Sequence, residues 1–124
     1  MFDQRGRVLI AQRPLGKALA GRWEFPGGKL LEGETDAAAL QRELREELGV
    51  IVQSCEPLLT ILHDYGDRIV ELRMRVVRAY RGVPCGLEAQ AIRWVAVDQL
   101  DAEDVLEADQ PFIKALQSRD AAAR

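Results

Sequence analysis

Glu43, Glu46 and Glu47 crowd into five consecutive residues of the run "RELREELGV" (42–50). On a helix at 100° per residue their side chains would share an arc of about 100°. Like charges at that spacing destabilise a helix by about 0.2–0.5 kcal/mol per pair in water, and by more where neighbouring protein lowers the dielectric. Two arrangements account for such a cluster. One is a solvated acidic face relieved by Arg42 and Arg45. The other is a set of carboxylates whose repulsion a cation relieves, since hard divalent ions prefer carboxylate oxygens and Mg²⁺ commonly combines a few of them with substrate phosphates. Upstream, Gly27-Gly28 permits close backbone approach to a ligand, and Glu34 stands between the glycines and the acidic run.

Periodicity supplies the elements that hold these residues. Leu40, Leu44 and Leu48 repeat every four positions, the apolar stripe of an amphipathic helix. Thr35 is its expected N-cap, Asp36 suits the first turn and Gly49 ends it. Ahead of this helix, "DQRGR" (3–7) is a turn and "VLIAQR" (8–13) a strand. A loop (14–22), a short extended piece at "WEF" and a turn at Pro26-Gly27-Gly28 follow. Residues 50–65 are β-rich and hold one strand with its approach. In 69–77, Val70, Leu72, Met74 and Val76 alternate with Glu71, Arg73 and Arg75, the period of a half-buried strand. Residues 82–91 are a loop and 92–97 a further strand. Asp109 is the expected cap of a last helix, with Pro111 in its first turn and Phe112, Ile113 and Leu116 as its docking face. The pattern is α+β, a twisted mixed sheet with a central helix and a C-terminal helix packed on it.

At 124 residues the chain is expected to form one domain (1–124). The formal charge is −3 with no basic patch, which argues against a nucleic-acid polymer as partner and requires specific arginines or a cation for a polyanionic substrate. Cys55 and Cys85 lack neighbouring Cys or His residues that would make a ligand pair, so they are expected as reduced thiols. His63, the single histidine, is expected at a strand end without a catalytic role. No apolar run approaches 18 residues and no signal-peptide pattern opens the chain, so a cytoplasmic location without membrane association is expected.

The spacing from Gly28 to Glu34 to Arg42-Glu43-Leu44-Arg45-Glu46-Glu47-Leu48-Gly49-Val50 resembles the signature of the Nudix hydrolases at every defining position. Chance agreement is on the order of one in a billion per starting site, which decides against the solvated face. "LIAQRP", "WEFPGGK", "RWV" and "ADQPFIKAL" are similar to the MutT-type branch. The resemblance implies an α/β/α sandwich and cleavage of a nucleoside triphosphate to monophosphate and pyrophosphate, with oxidised guanine nucleotide (8-oxo-dGTP) as the emblematic substrate. It implies that Glu43, Glu46 and Glu47 hold Mg²⁺ or Mn²⁺ with help from the Gly27 carbonyl, and that Glu43 is a candidate base for the attacking water. Arg42 and Glu34 would brace the loop–helix junction. Glu88 matches an additional metal-binding or base carboxylate outside the motif. Arg13 resembles a phosphate-contacting arginine, and Phe25, Gly28 and Lys29 of "WEFPGGK" fall on the substrate side. Asp109 stands where relatives commonly place an Asn that reads the purine edge; a plain N-cap is the alternative.

Two departures from the family pattern stand out. The family carries a strand before the "DQRGR" turn where only Met1 and Phe2 stand here, so an upstream start is one expectation. Asp109 replaces an amide, and an ionised carboxylate only accepts hydrogen bonds. Three functions remain open on these grounds: hydrolysis of oxidised purine nucleotides, hydrolysis of another nucleotide such as a pyrimidine triphosphate, or a non-catalytic nucleotide-sensing module. A monomer is expected, with a dimer left open.

Overall fold

The structure is a computed structural model that describes residues 1–28 and 31–122. Strand β1 (Arg7–Gln12) pairs antiparallel with β2 (Trp23–Glu24) and with β5 (Ile92–Ala96). Strands β3 (Ile51–Asp64) and β4 (Ile69–Arg81) form a second, long antiparallel ladder. Helices α1 (Asp36–Leu48) and α2 (Gln110–Ala122) complete the fold, α2 preceded by two 3₁₀ segments at Val97–Ala102 and Glu107–Asp109. The sheet expected as one twisted unit is thus two antiparallel sheets, and among the described residues parallel pairing is confined to one bridge between Trp23 and Val105.

Strand β1 explains the layering. Its apolar residues run without polar interruption, as in a strand covered on both faces. Val8 and Ile10 pack into one core with Trp23, Val76, Val95, Leu100, Ile113 and Leu116, under α2. Leu9 packs into the other core with Leu44, Leu48, Val50, Val52 and Val77, under α1. Adjacent Val76 and Val77 of β4 divide between the same two cores, because successive strand side chains point to opposite faces.

Helix α1 has the boundaries its sequence implies. Thr35 Oγ1 accepts the Ala38 N–H at 3.1 Å, and Gly49 takes the left-handed conformation (φ 73°) that closes the last turn onto Arg45 O. Asp36 of the first turn reaches Arg73 of β4 at 2.6 Å, tying the helix to the ribbon. Strand β4 extends to Arg81, beyond residue 77 where the alternation ends, because β3 supplies backbone partners throughout. Register shifts between Val52 and Cys55 and beside Pro57 absorb the irregularities of β3, where proline lacks an N–H to pair. At the start of the chain, Met1 is buried and its carbonyl accepts the Leu9 N–H at 3.0 Å, while Phe2 bridges Val8. Both residues that precede the turn therefore lie antiparallel to β1.

Among the described residues no helix is long and apolar enough to cross a membrane. Leu44 is the test of the α1 core, being 1% exposed. Leu44→Ala should lower unfolding free energy by about 2–4 kcal/mol in urea titrations, whereas exposed Lys114→Ala should change it by no more than about 0.5 kcal/mol. A loss below 1 kcal/mol at Leu44 would contradict the packing.

Candidate active site

The site forms where the Pro26-Gly27-Gly28 turn meets the inner side of α1. Arg42 organises the approach. Its guanidinium donates from Nε to Glu34 Oε2 at 2.9 Å and from Nη2 to Glu34 Oε1 at 3.0 Å, a two-pronged pair. Glu34 Oε1 also accepts the Leu31 N–H at 2.8 Å, so the carboxylate fastens the loop to the helix. These bonds, the Arg42 ones first, hold the Glu34 carboxyl below its usual range. Arg42 Nη1 donates to Glu43 at 2.7 Å and lies 3.6 Å from Glu46.

Glu43 and Gly28 are pressed together. A Cβ at Gly28 would meet the Glu43 carboxylate, so a side chain there would displace Glu43 from its place beside Arg42. Glu47, one turn further along α1, accepts the Gly27 N–H at 3.2 Å. Burial pushes the Glu47 carboxyl up to about 8, with the charges of Glu43, Glu88 and Glu24 adding to the shift and the Gly27 N–H opposing it. Glu24, Glu47 and Glu88 line one small cleft of about 40 Å³ beside Gln12 and Pro26.

The sequence groups Glu46 with Glu43 and Glu47; the structure leaves its side chain 60% exposed, 3.6 Å from the same Arg42 Nη1 that bonds Glu43. Arg13 lines a neighbouring groove, where its guanidinium is held by Glu24 at 3.0 Å and the Ala18 carbonyl at 2.7 Å. Lys29 lies outside the described residues. Phe25 packs against the α2-side core and donates its N–H to Asp109 at 3.0 Å. Asp109 is not the cap expected of it: it ends the 3₁₀ turn before α2, and its carboxylate reaches across to Phe25, just past β2, instead. Burial raises the Asp109 carboxyl to about 6, against the Phe25 hydrogen bond, and Glu24 adds to the rise.

Two residues at this site carry no mark in the motif. Glu24 faces the cleft because Trp23 faces the core, and side chains alternate along even a two-residue strand. That alternation is its one sequence signal. Gln90 joins the loop carrying Glu88 to the end of α1, through bonds that no local pattern foretells.

Among the described residues no three Asp, Glu, His or Cys side chains already converge as a preformed cation cage. The donor set is nevertheless suited to a hard divalent ion. It consists of carboxylates, one of them raised by burial and then by like charges that a cation would offset, beside the Gly27-Gly28 turn.

The NUDIX domain family matches residues 1–115. The chain belongs to the Nudix family. It is 47% identical over 79 residues to an 8-oxo-dGTP diphosphatase of Proteus vulgaris, covering 64% of this chain and 70% of that protein. Over 122 residues it is 34% identical to a CTP pyrophosphohydrolase of Escherichia coli, covering 98% and 90% of the two chains. A solved MutT structure from work on the Aliivibrio salmonicida and Vibrio cholerae proteins superposes with a TM-score of 0.85 at 32% identity, over 96% of this chain and 92% of that one. The protein is accordingly a Nudix hydrolase, acting on phosphoanhydride bonds, with the α+β architecture of its relatives. Hydrolases of this family generally work with a divalent metal.

The raised Asp109 carboxyl has a consequence for stability. Its ordinary value is 3.8 and its folded value about 6, so between these the folded state holds more protons than the unfolded. Stability from this group is therefore greatest at low pH and falls as pH rises through that window. An Asn at 109 keeps an oxygen for the Phe25 N–H and carries no charge. Asp109→Asn should be more stable than the parent by about 1–2 kcal/mol at pH 8, with the difference closing by pH 4 in urea titrations. Equal stability of the two proteins at pH 8 would show that the buried charge costs nothing.

Proposed function

We propose that this Nudix hydrolase converts oxidised purine nucleoside triphosphates, such as 8-oxo-dGTP, to the monophosphate and pyrophosphate. The observation that carries the reading is the crowding of Glu43, Glu88 and Glu24 on half-buried Glu47, beside the Gly27-Gly28 turn whose N–H it accepts. Such stored repulsion suits a polyphosphate that arrives with its cation. The relatives named 8-oxo-dGTP diphosphatases support the choice of substrate.

Glu43, Glu46, Glu47 and Glu88, with the Gly27 carbonyl, are the groups we assign to Mg²⁺ (Mn²⁺ is chemically equivalent here), whose charge would offset that of the phosphate oxygens during P–O cleavage. The chain's own residues supply alignment. Glu34 and Arg42 fix the loop against α1 and orient Glu43 beside Gly28. Glu43 is assigned the proton of the attacking water as its oxygen bonds to phosphorus. The anhydride P–O bond between the α- and β-phosphorus breaks, and the departing oxygen takes the electron pair, which yields the monophosphate and pyrophosphate. Phosphoryl transfer needs this positioning and charge balance more than a covalent nucleophile. Arg13 and Lys29 are assigned to the phosphates and Phe25 to the base. Asp109, tied to Phe25, is assigned to the base edge.

A second reading has specific support. An ionised Asp109 accepts hydrogen bonds only, which matches the exocyclic amine of cytosine as well as the N–H edge of an oxidised guanine. The CTP pyrophosphohydrolase relative matches nearly the whole chain. A hydrolysis screen over 8-oxo-dGTP, dGTP, CTP and dCTP with Mg²⁺ decides between them, and preference for a cytosine nucleotide would overturn the purine assignment.

Glu47→Gln removes one anionic oxygen donor with almost no change in volume. Turnover should fall on the order of 10³-fold or more, while the metal-free fold is retained. Near-parental activity in a folded variant would sink the assignment. Pyrophosphate should be released together with the monophosphate, and orthophosphate as first product would mean a different bond is cut.

A further inference from the structure

The loop that carries Glu88 is not free to place it. Ala89 has a left-handed backbone (φ 62°), uncommon for a residue with a side chain. Gly86 is folded so tightly under the loop that a Cβ there would collide with the Gln90 carbonyl. Strained segments of this kind persist when their surroundings over-determine them. Here the surroundings are the end of α1, whose last carbonyls have no partners within the helix. Cys85 N–H donates to Leu48 O at 3.1 Å and Leu87 N–H to Glu47 O at 3.0 Å. The third bond comes from a side chain: Gln90 Nε2 donates to Glu47 O at 3.0 Å. The same amide, through Oε1, accepts the Glu88 N–H at 2.8 Å.

We infer that Gln90 is a positioning residue, whose side-chain amide spans from the backbone of Glu47 to the backbone of Glu88 and sets the distance between the two carboxylates. The role demands glutamine chemistry. A donor is needed at one end and an acceptor at the other, at the reach of three side-chain carbons; carboxylates offer no donor and apolar side chains offer neither. Gln90 also lines the cleft, and the role assigned to it is positioning, through its two bonds to backbone. The inference rests on Glu88 taking part in the hydrolysis proposed above.

Gln90→Met keeps the length of the side chain and removes both bonds. It should lower kcat about tenfold or more, because small misplacements of catalytic groups are costly, with KM for the nucleotide changed less than threefold. The nucleotide-free protein should bind Mn²⁺ about three- to tenfold more weakly by calorimetry, and Gln90→Glu, which retains the acceptor end only, should fall between the parent and Gln90→Met in kcat. The decisive arm places Gln90→Met in a Glu88→Gln background. If Gln90 acts through Glu88, the second substitution costs no further activity; multiplying losses would show an independent, merely structural role and overturn the inference. A kcat within twofold of the parent for folded Gln90→Met, beside a Glu88→Gln variant that is impaired, would also overturn it while leaving the hydrolytic reading intact. A fully active Glu88→Gln beside an inactive Glu47→Gln would remove the inference and spare the assignment of Glu47. Full activity of all three variants would remove both.

Discussion

Glu47 is held half-buried at the end of α1, facing Glu43, Glu88 and Glu24, and much of the structure serves to keep it there. A carboxylate in that position would relax outward if its helix could fray or its neighbours could move. Neither is permitted. The Gly27 N–H bonds its side chain, and the loop from Cys85 to Gln90 takes up the carbonyls of Glu47 and Leu48 that would otherwise face water. The raised carboxyl is thus a consequence of rigid surroundings, and its energy is available to any ligand that brings positive charge.

That rigidity comes from the core. Leu44 and Leu48 are fully buried against β1 and the β3–β4 ribbon, on the same helix that presents Glu43 and Glu47. One helix therefore carries an anchoring stripe and an acidic stripe, offset by its 3.6-residue period. Strand β1 lies between two apolar layers, so neither helix can shift without opening a core. Arg42 then acts at the boundary between stripe and solvent. By binding Glu34 and Glu43 together, it turns a flexible glycine turn into a ledge of defined position.

The base end of the site is built on a different principle. Phe25, just past β2, and Asp109, in the turn before α2, are joined by a backbone-to-carboxylate bond. One oxygen of the Asp109 carboxylate is already engaged by the Phe25 N–H. Its protonation state near neutrality is set by burial. Under the proposed function, selectivity for the base and stability of the fold would be linked through this group.

The sequence by itself determined what is local or periodic. The stripe at Leu40, Leu44 and Leu48, the Thr35 and Gly49 caps, and the spacing of Gly28, Glu34, Arg42 and the three glutamates all concern residues within one helix turn or one loop of each other. Covalent geometry converts such spacing directly into direction. Family membership followed from the same run. The division of the strands into two ladders, the continuation of β4 to Arg81 and the turning of Glu46 to solvent were decided by tertiary pairing, which no neighbouring residue encodes. The same holds for Asp109, a good N-cap by type whose carboxylate instead met Phe25, 84 positions away in the chain. Glu24 and Gln90 entered the site because folding brought β2 and the β4–β5 loop to the end of α1. Contacts at that separation depend on how layers pack, and packing is a property of the whole chain.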